Sequence, residues 1–157
     1  HQLFCQRFCY RPAPSVILFL TMFNKIKKLT VAEGAAQVFA FDAIEGRPSL
    51  RVASATQSNP GYLNAVLKDK RLARRGRKGL DVAAMRENRD NDRVLYKQYV
   101  VKGWETPALT DDGQPATPEQ IGDFLDALPD DLFDELRAYC GEPANFRQSD
   151  GELAGNS

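Results

Sequence analysis

Four carboxylates fall within six residues, Asp130, Asp131, Asp134 and Glu135, and side chains so placed could hold a divalent cation or share a proton in acid–base work. Their setting argues for a plainer role. They follow Pro129 at the start of a helix-forming segment, where negative charge suits the positive end of the helix, and the remainder of the cluster reads as a solvated face. Cys140 is a nucleophile only with a base beside it, and the sequence places none there. The single histidine is His1. With Met22 as the start of translation no imidazole remains for general acid–base chemistry or metal ligation. The stretches "RRGRKG" and "AEGAAQ" match neither a phosphate-cradling loop nor a dinucleotide fingerprint, which need glycines at fixed offsets after a strand. No catalytic, cofactor-binding or metal-binding residue is assigned, no cofactor is expected, and the chain is read as non-enzymatic.

Binding chemistry is better represented. Lys68, Lys70, Arg71, Arg74, Arg75, Arg77 and Lys78 crowd one short run with a single aspartate, a basic patch able to neutralise several phosphates. Few aromatics interleave it, and no recognition-helix pattern follows, so a solvated loop or one that meets an acidic partner is the competing reading. The net charge of zero hides a division. Residues 1–104 hold 19 Lys/Arg against 8 Asp/Glu, a balance of +11, and residues 105–157 hold 2 against 13, a balance of −11. The two halves can attract each other, or each can dock a partner of opposite sign. Three cysteines, Cys5, Cys9 and Cys140, form neither a metal-ligand spacing nor an even disulfide framework, which fits a reducing compartment.

These residues need elements to position them. "QVFAFDA" and "SLRVAS" alternate apolar and polar positions and flank Ile44-Glu45-Gly46-Arg47-Pro48, predicting an N-terminal β-hairpin. Asn59-Pro60 predicts a capped helix start ahead of Tyr62, Leu63, Val66 and Leu67. Gly76 and Gly79 break the pattern. Asp81 then caps a longer helix whose middle, Arg86 to Arg93, has no apolar residue, and whose apolar face resumes at Val94, Leu95, Tyr99 and Val101. Gly103 is read as the left-handed residue ending that helix, with Trp104 folding back on its last turn near Tyr99. After a turn at Asp111-Asp112-Gly113, Thr117-Pro118-Glu119-Gln120 is a capping-box start, and Ile121, Phe124, Leu125 and Leu128 form one apolar stripe. Pro129 opens the last helix, with Leu132, Phe133, Leu136 and Tyr139 in its stripe. The expected fold class is α+β: an N-terminal β-hairpin, then a mainly helical part ending in a helical hairpin.

At 157 residues, one domain over 22–147 is the size prior. Residues 1–21, rich in Cys and Phe and running into "SVILFLTMF", are read as a non-native or upstream-translated extension, and 148–157 as a disordered tail. The apolar run is about half the ~20 residues a membrane-spanning helix needs. No membrane partner is expected.

In its C-terminal half, over about residues 94–147, the succession "VVKGWE", "DDGQPATPEQIGDFL", "LPDDLFDELRAYC" and "EPANFR" resembles small tailed-bacteriophage proteins of the tail-assembly-chaperone type. Gly103, Trp104, Pro129, Asn145, Phe146 and Arg147 carry the likeness. It implies a non-catalytic factor that holds the long tape-measure protein soluble while the tail tube polymerises around it, acting in the host cytoplasm and absent from the finished particle. Candidate partner-binding residues are Trp104, Phe124, Leu128, Phe133, Tyr139, Phe146 and Arg147. Phe124, Leu128, Phe133 and Tyr139 would line a groove between the two last helices, although an ordinary core would use the same residues. A permanent virion component, such as a minor tail or head–tail connector protein, is the alternative, and a nucleic-acid-binding accessory protein acting through the Lys68–Lys78 run comes third.

Overall fold

The computed structural model describes residues 22–69 and 81–147. The regions assigned above to an extension and a tail lie outside these residues, as do Lys70, Arg71, Arg74, Arg75, Arg77 and Lys78. The chain divides into two units that meet between Thr30 and Val31. The described part of the first contains one short helix, α1 (Asn24–Lys27).

The second unit is built on the expected hairpin. β1 (Ala36–Ala40) and β2 (Ser49–Ala53) pair antiparallel, with Ala36 opposite Ala53 and Ala40 opposite Ser49. Alternation along β2 drives Leu50 and Val52 fully inside and leaves Arg51 in solvent. α2 (Pro60–Lys68) starts where Asn59 predicts, its side-chain oxygen accepting from the Tyr62 N–H at 3.2 Å. The Asn59 amide also donates to the Tyr99 carbonyl at 2.8 Å, tying the cap to a distant segment. Gly61 permits that approach, since a Cβ there would lie 3.0 Å from the Tyr99 ring.

α3 (Val82–Leu95) begins at Asp81, whose carboxylate accepts from Ala84 N–H at 2.6 Å. It runs unbroken through the stretch that lacks apolar residues. Residues Tyr96–Val100 then widen into a π-helical turn, in which the Val101 N–H bonds the Tyr96 carbonyl and both Tyr96 and Val100 are buried. Val94, placed by periodicity on the apolar face, is 54% exposed. The wider turn shifts the buried face to Tyr96 and Val100.

The helix does not end at Gly103. It passes directly into a third strand, β3 (Val101–Thr106), which pairs antiparallel with β2 to give the order β1-β2-β3. Gly103 sits in the strand opposite Arg51 without a left-handed conformation, and Trp104 lies opposite Leu50 instead of folding back on the helix. Two register shifts leave Lys102 and Glu105 as extra residues on β3, bulges that let both point outward while Trp104 stays inside.

Beyond β3, Gly113 (φ 76°) closes a tight loop in which Thr110 N–H bonds the Gln114 carbonyl at 2.8 Å. Thr117 N–H then donates to the Gln120 side chain at 2.8 Å, the predicted capping box. α4 (Ile121–Ala127) and α5 (Asp130–Cys140) meet at Pro129, and a 3₁₀ turn (Pro143–Phe146) follows. Their apolar stripes cover the sheet's inner face and the π-helical turn. The fold is α+β, with the helical layer on one face of a three-stranded antiparallel sheet.

Candidate partner-binding site

The groove expected between α4 and α5 is filled by the protein's own sheet. Trp104 is 9% exposed, donates its Nε1–H to the Thr117 carbonyl at 3.0 Å and lies edge-on to Phe124 at 4.9 Å. Phe124, half-buried, packs in turn on Phe41 from the hairpin at 5.4 Å. Leu128 and Phe133 are buried, with Phe133 edge-on to Tyr96 at 5.5 Å. Tyr139 sits between Phe39 (5.2 Å) and the buried Phe146 (5.8 Å). Of the seven residues, Arg147 alone is exposed; Trp104, Leu128, Phe133 and Phe146 belong to the buried core, and the half-buried Phe124 and Tyr139 pack against it. Asn145 holds the closing turn by donating from its amide to the Tyr139 carbonyl at 3.0 Å.

The residues that periodicity could not place form the second feature. α3 and its π-helical end present Arg89, Arg93 and Lys97 at intervals of four, while α4 and α5 present Asp126, Asp130 and Asp134 at the same interval. The two rows close antiparallel. Lys97 meets Asp126 at 2.6 Å, Arg93 meets Asp130 at 3.0 Å and Arg89 meets Asp134 at 2.7 Å. Arg137 crosses back, reaching Asp92 at 2.7 Å and Asp134 at 3.1 Å. Arg93 does most. Its guanidinium also donates to the Leu125 carbonyl and, at 2.9 Å, to the Leu128 carbonyl at the end of α4, and it stacks 4.6 Å from the Phe133 ring centre. The matched four-residue spacing was visible in the sequence, but nothing local says that the rows face each other.

Electrostatics follow from this closure. The hydrogen bond from Arg89, opposed by partial burial and helped by Arg137, holds the Asp134 carboxyl below the usual carboxylate range. Burial pushes the Tyr62 hydroxyl up, and its 2.9 Å hydrogen bond to the Asp92 carboxylate pushes it further. Burial also pushes the Cys140 thiol up to about 12, which removes the thiolate a nucleophile requires. Among the described residues no group of three His, Cys, Asp or Glu side chains could hold a metal ion. Asp130 and Asp134 are neighbours of arginines instead.

Lys68 of the basic run is exposed at the end of α2. One further feature had no sequence signal, a cleft of about 230 Å³ lined by Ser54, Ser58, Asn59, Gly61, Glu33 and Lys102. Ser54 and Ser58 of this lining bond each other, and Ser54 also bonds Thr56 at 3.0 Å. No known protein family, curated protein or solved structure matches this chain.

Proposed function

We propose that the protein is a non-catalytic phage tail-assembly chaperone that binds the tape-measure precursor during tail morphogenesis, its contact surface being the charged rim of the helical layer. The observation that carries this reading is the charge left after the internal pairing. The seam engages Asp126, Asp130 and Asp134, whereas Asp111, Asp112, Glu119, Asp123, Asp131 and Glu135 are exposed with no ion pair among the described residues. A rim of one sign beside a closed core suits a chaperone, because it can dock the basic face of a long helix and release it without exposing apolar surface. The resemblance over residues 94–147 supports the narrower assignment to tails, and its motif residues cluster in one packed unit: Trp104 on Thr117, Asn145 on Tyr139, Pro129 at the α4–α5 junction.

The test is capture of the tagged full chain from cells in which tails are assembling, with mass spectrometry of its partners and of purified particles. Tape-measure protein in the capture, with the bait missing from particles, is the expected result, and the capture should weaken in an Asp123→Lys/Asp131→Lys/Glu135→Lys variant. Stoichiometric bait in particles would overturn the chaperone reading and give a structural tail or connector role.

A further inference from the structure

The first unit presents surface of a kind seen nowhere else in the described residues. Four large apolar side chains in eight residues, Met22, Phe23, Ile26 and Leu29, are 50–67% exposed, and none belongs to the core. They fall at i, i+1, i+4 and i+7, which is one face of a helix. The backbone has that form: Lys27, Lys28, Leu29 and Thr30 N–H groups bond carbonyls three or four residues back. Lys25, Lys27 and Lys28 occupy the intervening positions.

The charge around this face is of one sign. Residues 1–32 contain Arg7, Arg11 and the three lysines and no aspartate or glutamate, the first acidic residue being Glu33. We infer that residues 22–29 form an interfacial anchor that lays Met22, Phe23, Ile26 and Leu29 into the headgroup region of an anionic lipid surface, with the lysines at the phosphates. Both halves of the pattern are needed for that choice. A polyanion such as nucleic acid accounts for the lysines but leaves the apolar side chains in water, whereas a bilayer interface takes the apolar face and attracts basic residues together. The anchor lies on the surface and does not span it, and no described helix is long and apolar enough to cross a membrane.

The experiment is flotation of the full chain with vesicles of pure phosphatidylcholine or of phosphatidylcholine with phosphatidylglycerol, at low and high salt. Binding to the anionic vesicles should exceed binding to neutral ones at least about tenfold and fall with salt, in line with the attraction each lysine feels near such a surface. Ile26→Asp/Leu29→Asp should remove it, and so should Lys25→Glu/Lys27→Glu/Lys28→Glu. The substitutions lie outside the core, so each variant should keep the parent's unfolding temperature, which is the check on folding. Equal flotation with both lipids would overturn the anchor. So would loss on lysine substitution but not on Ile26→Asp/Leu29→Asp, which would reduce the contact to electrostatic adsorption with no apolar side chain inserted, and so would binding that disappears only with Arg74→Glu/Arg75→Glu.

Discussion

Arg93 is where the charge chemistry and the packing of this protein converge. A long side chain with a planar head can stack on Phe133, satisfy two carbonyls at the end of α4 and meet Asp130 at once, and lysine cannot reproduce that set. Arg93→Ala is expected to cost about 2 kcal/mol in urea unfolding, since carbonyls lose charged donors in a partly desolvated place. Arg93→Lys should recover less than half of that. Cys140 illustrates the opposite case, a reactive type made inert by burial. In a Cys5→Ser/Cys9→Ser background its thiol should react with a disulfide reagent only when the protein is unfolded; rapid labelling of the native state would show that the thiol is accessible after all. At this scale the sequence was informative about caps and poor about partners. Asn59, Asp81 and Thr117 act within three residues, whereas Arg89 and Asp134 are separated by 45.

Among the elements, β3 carries the main correction. Its β-forming residues Val101 and Trp104 stand three apart, a spacing that shares one strand face only across a bulge, and a glycine after a helical stretch also marks a helix end, so only pairing with β2 decides between the two. The decision is measurable by substitution. Gly103→Thr should raise stability by roughly 0.5 kcal/mol, because the strand conformation admits a side chain, nothing lies within 4 Å of its Cβ, and the unfolded chain loses freedom. Gly113→Ala should lower it by about 1 kcal/mol, because that residue is held at φ 76°. A loss for Gly103→Thr as large as that for Gly113→Ala would restore the left-handed helix ending. The seam between α3 and α5 has a pH signature. Asp134 has its carboxyl lowered by Arg89 and Arg137, so its contribution is complete above the ordinary carboxylate range and disappears as pH falls through its own depressed value. Asp134→Asn should therefore cost about 1 kcal/mol at pH 7, a figure already reduced for the pair's partial exposure, and the difference from the parent should close in strong acid.

For the whole molecule, the balance of +11 and −11 is partly spent within the chain: three rungs of opposite charge close α3 on α4 and α5, while Asp111, Asp112, Glu119, Asp123, Asp131 and Glu135 face solvent. Removing residues 1–30 should leave the unfolding temperature within about 3 °C, since among the described residues the core contains only residues beyond Thr30. A collapse of stability on that truncation would mean that the first unit completes the core. By itself the sequence determined what depends on near neighbours: the hairpin, the three cap sites, the capping box, the proline junction and the α+β class. Each rests on hydrogen bonds or periodicity within a few residues. The tertiary structure alone decided that "VKGWE" is a strand, that Phe124 and Tyr139 turn inward against the hairpin and Phe133 against Tyr96, and that the helix whose middle lacks apolar residues is held by arginines meeting aspartates. Those outcomes depend on contacts between segments far apart in the chain, where the free energy of a residue is set by what the fold brings to it.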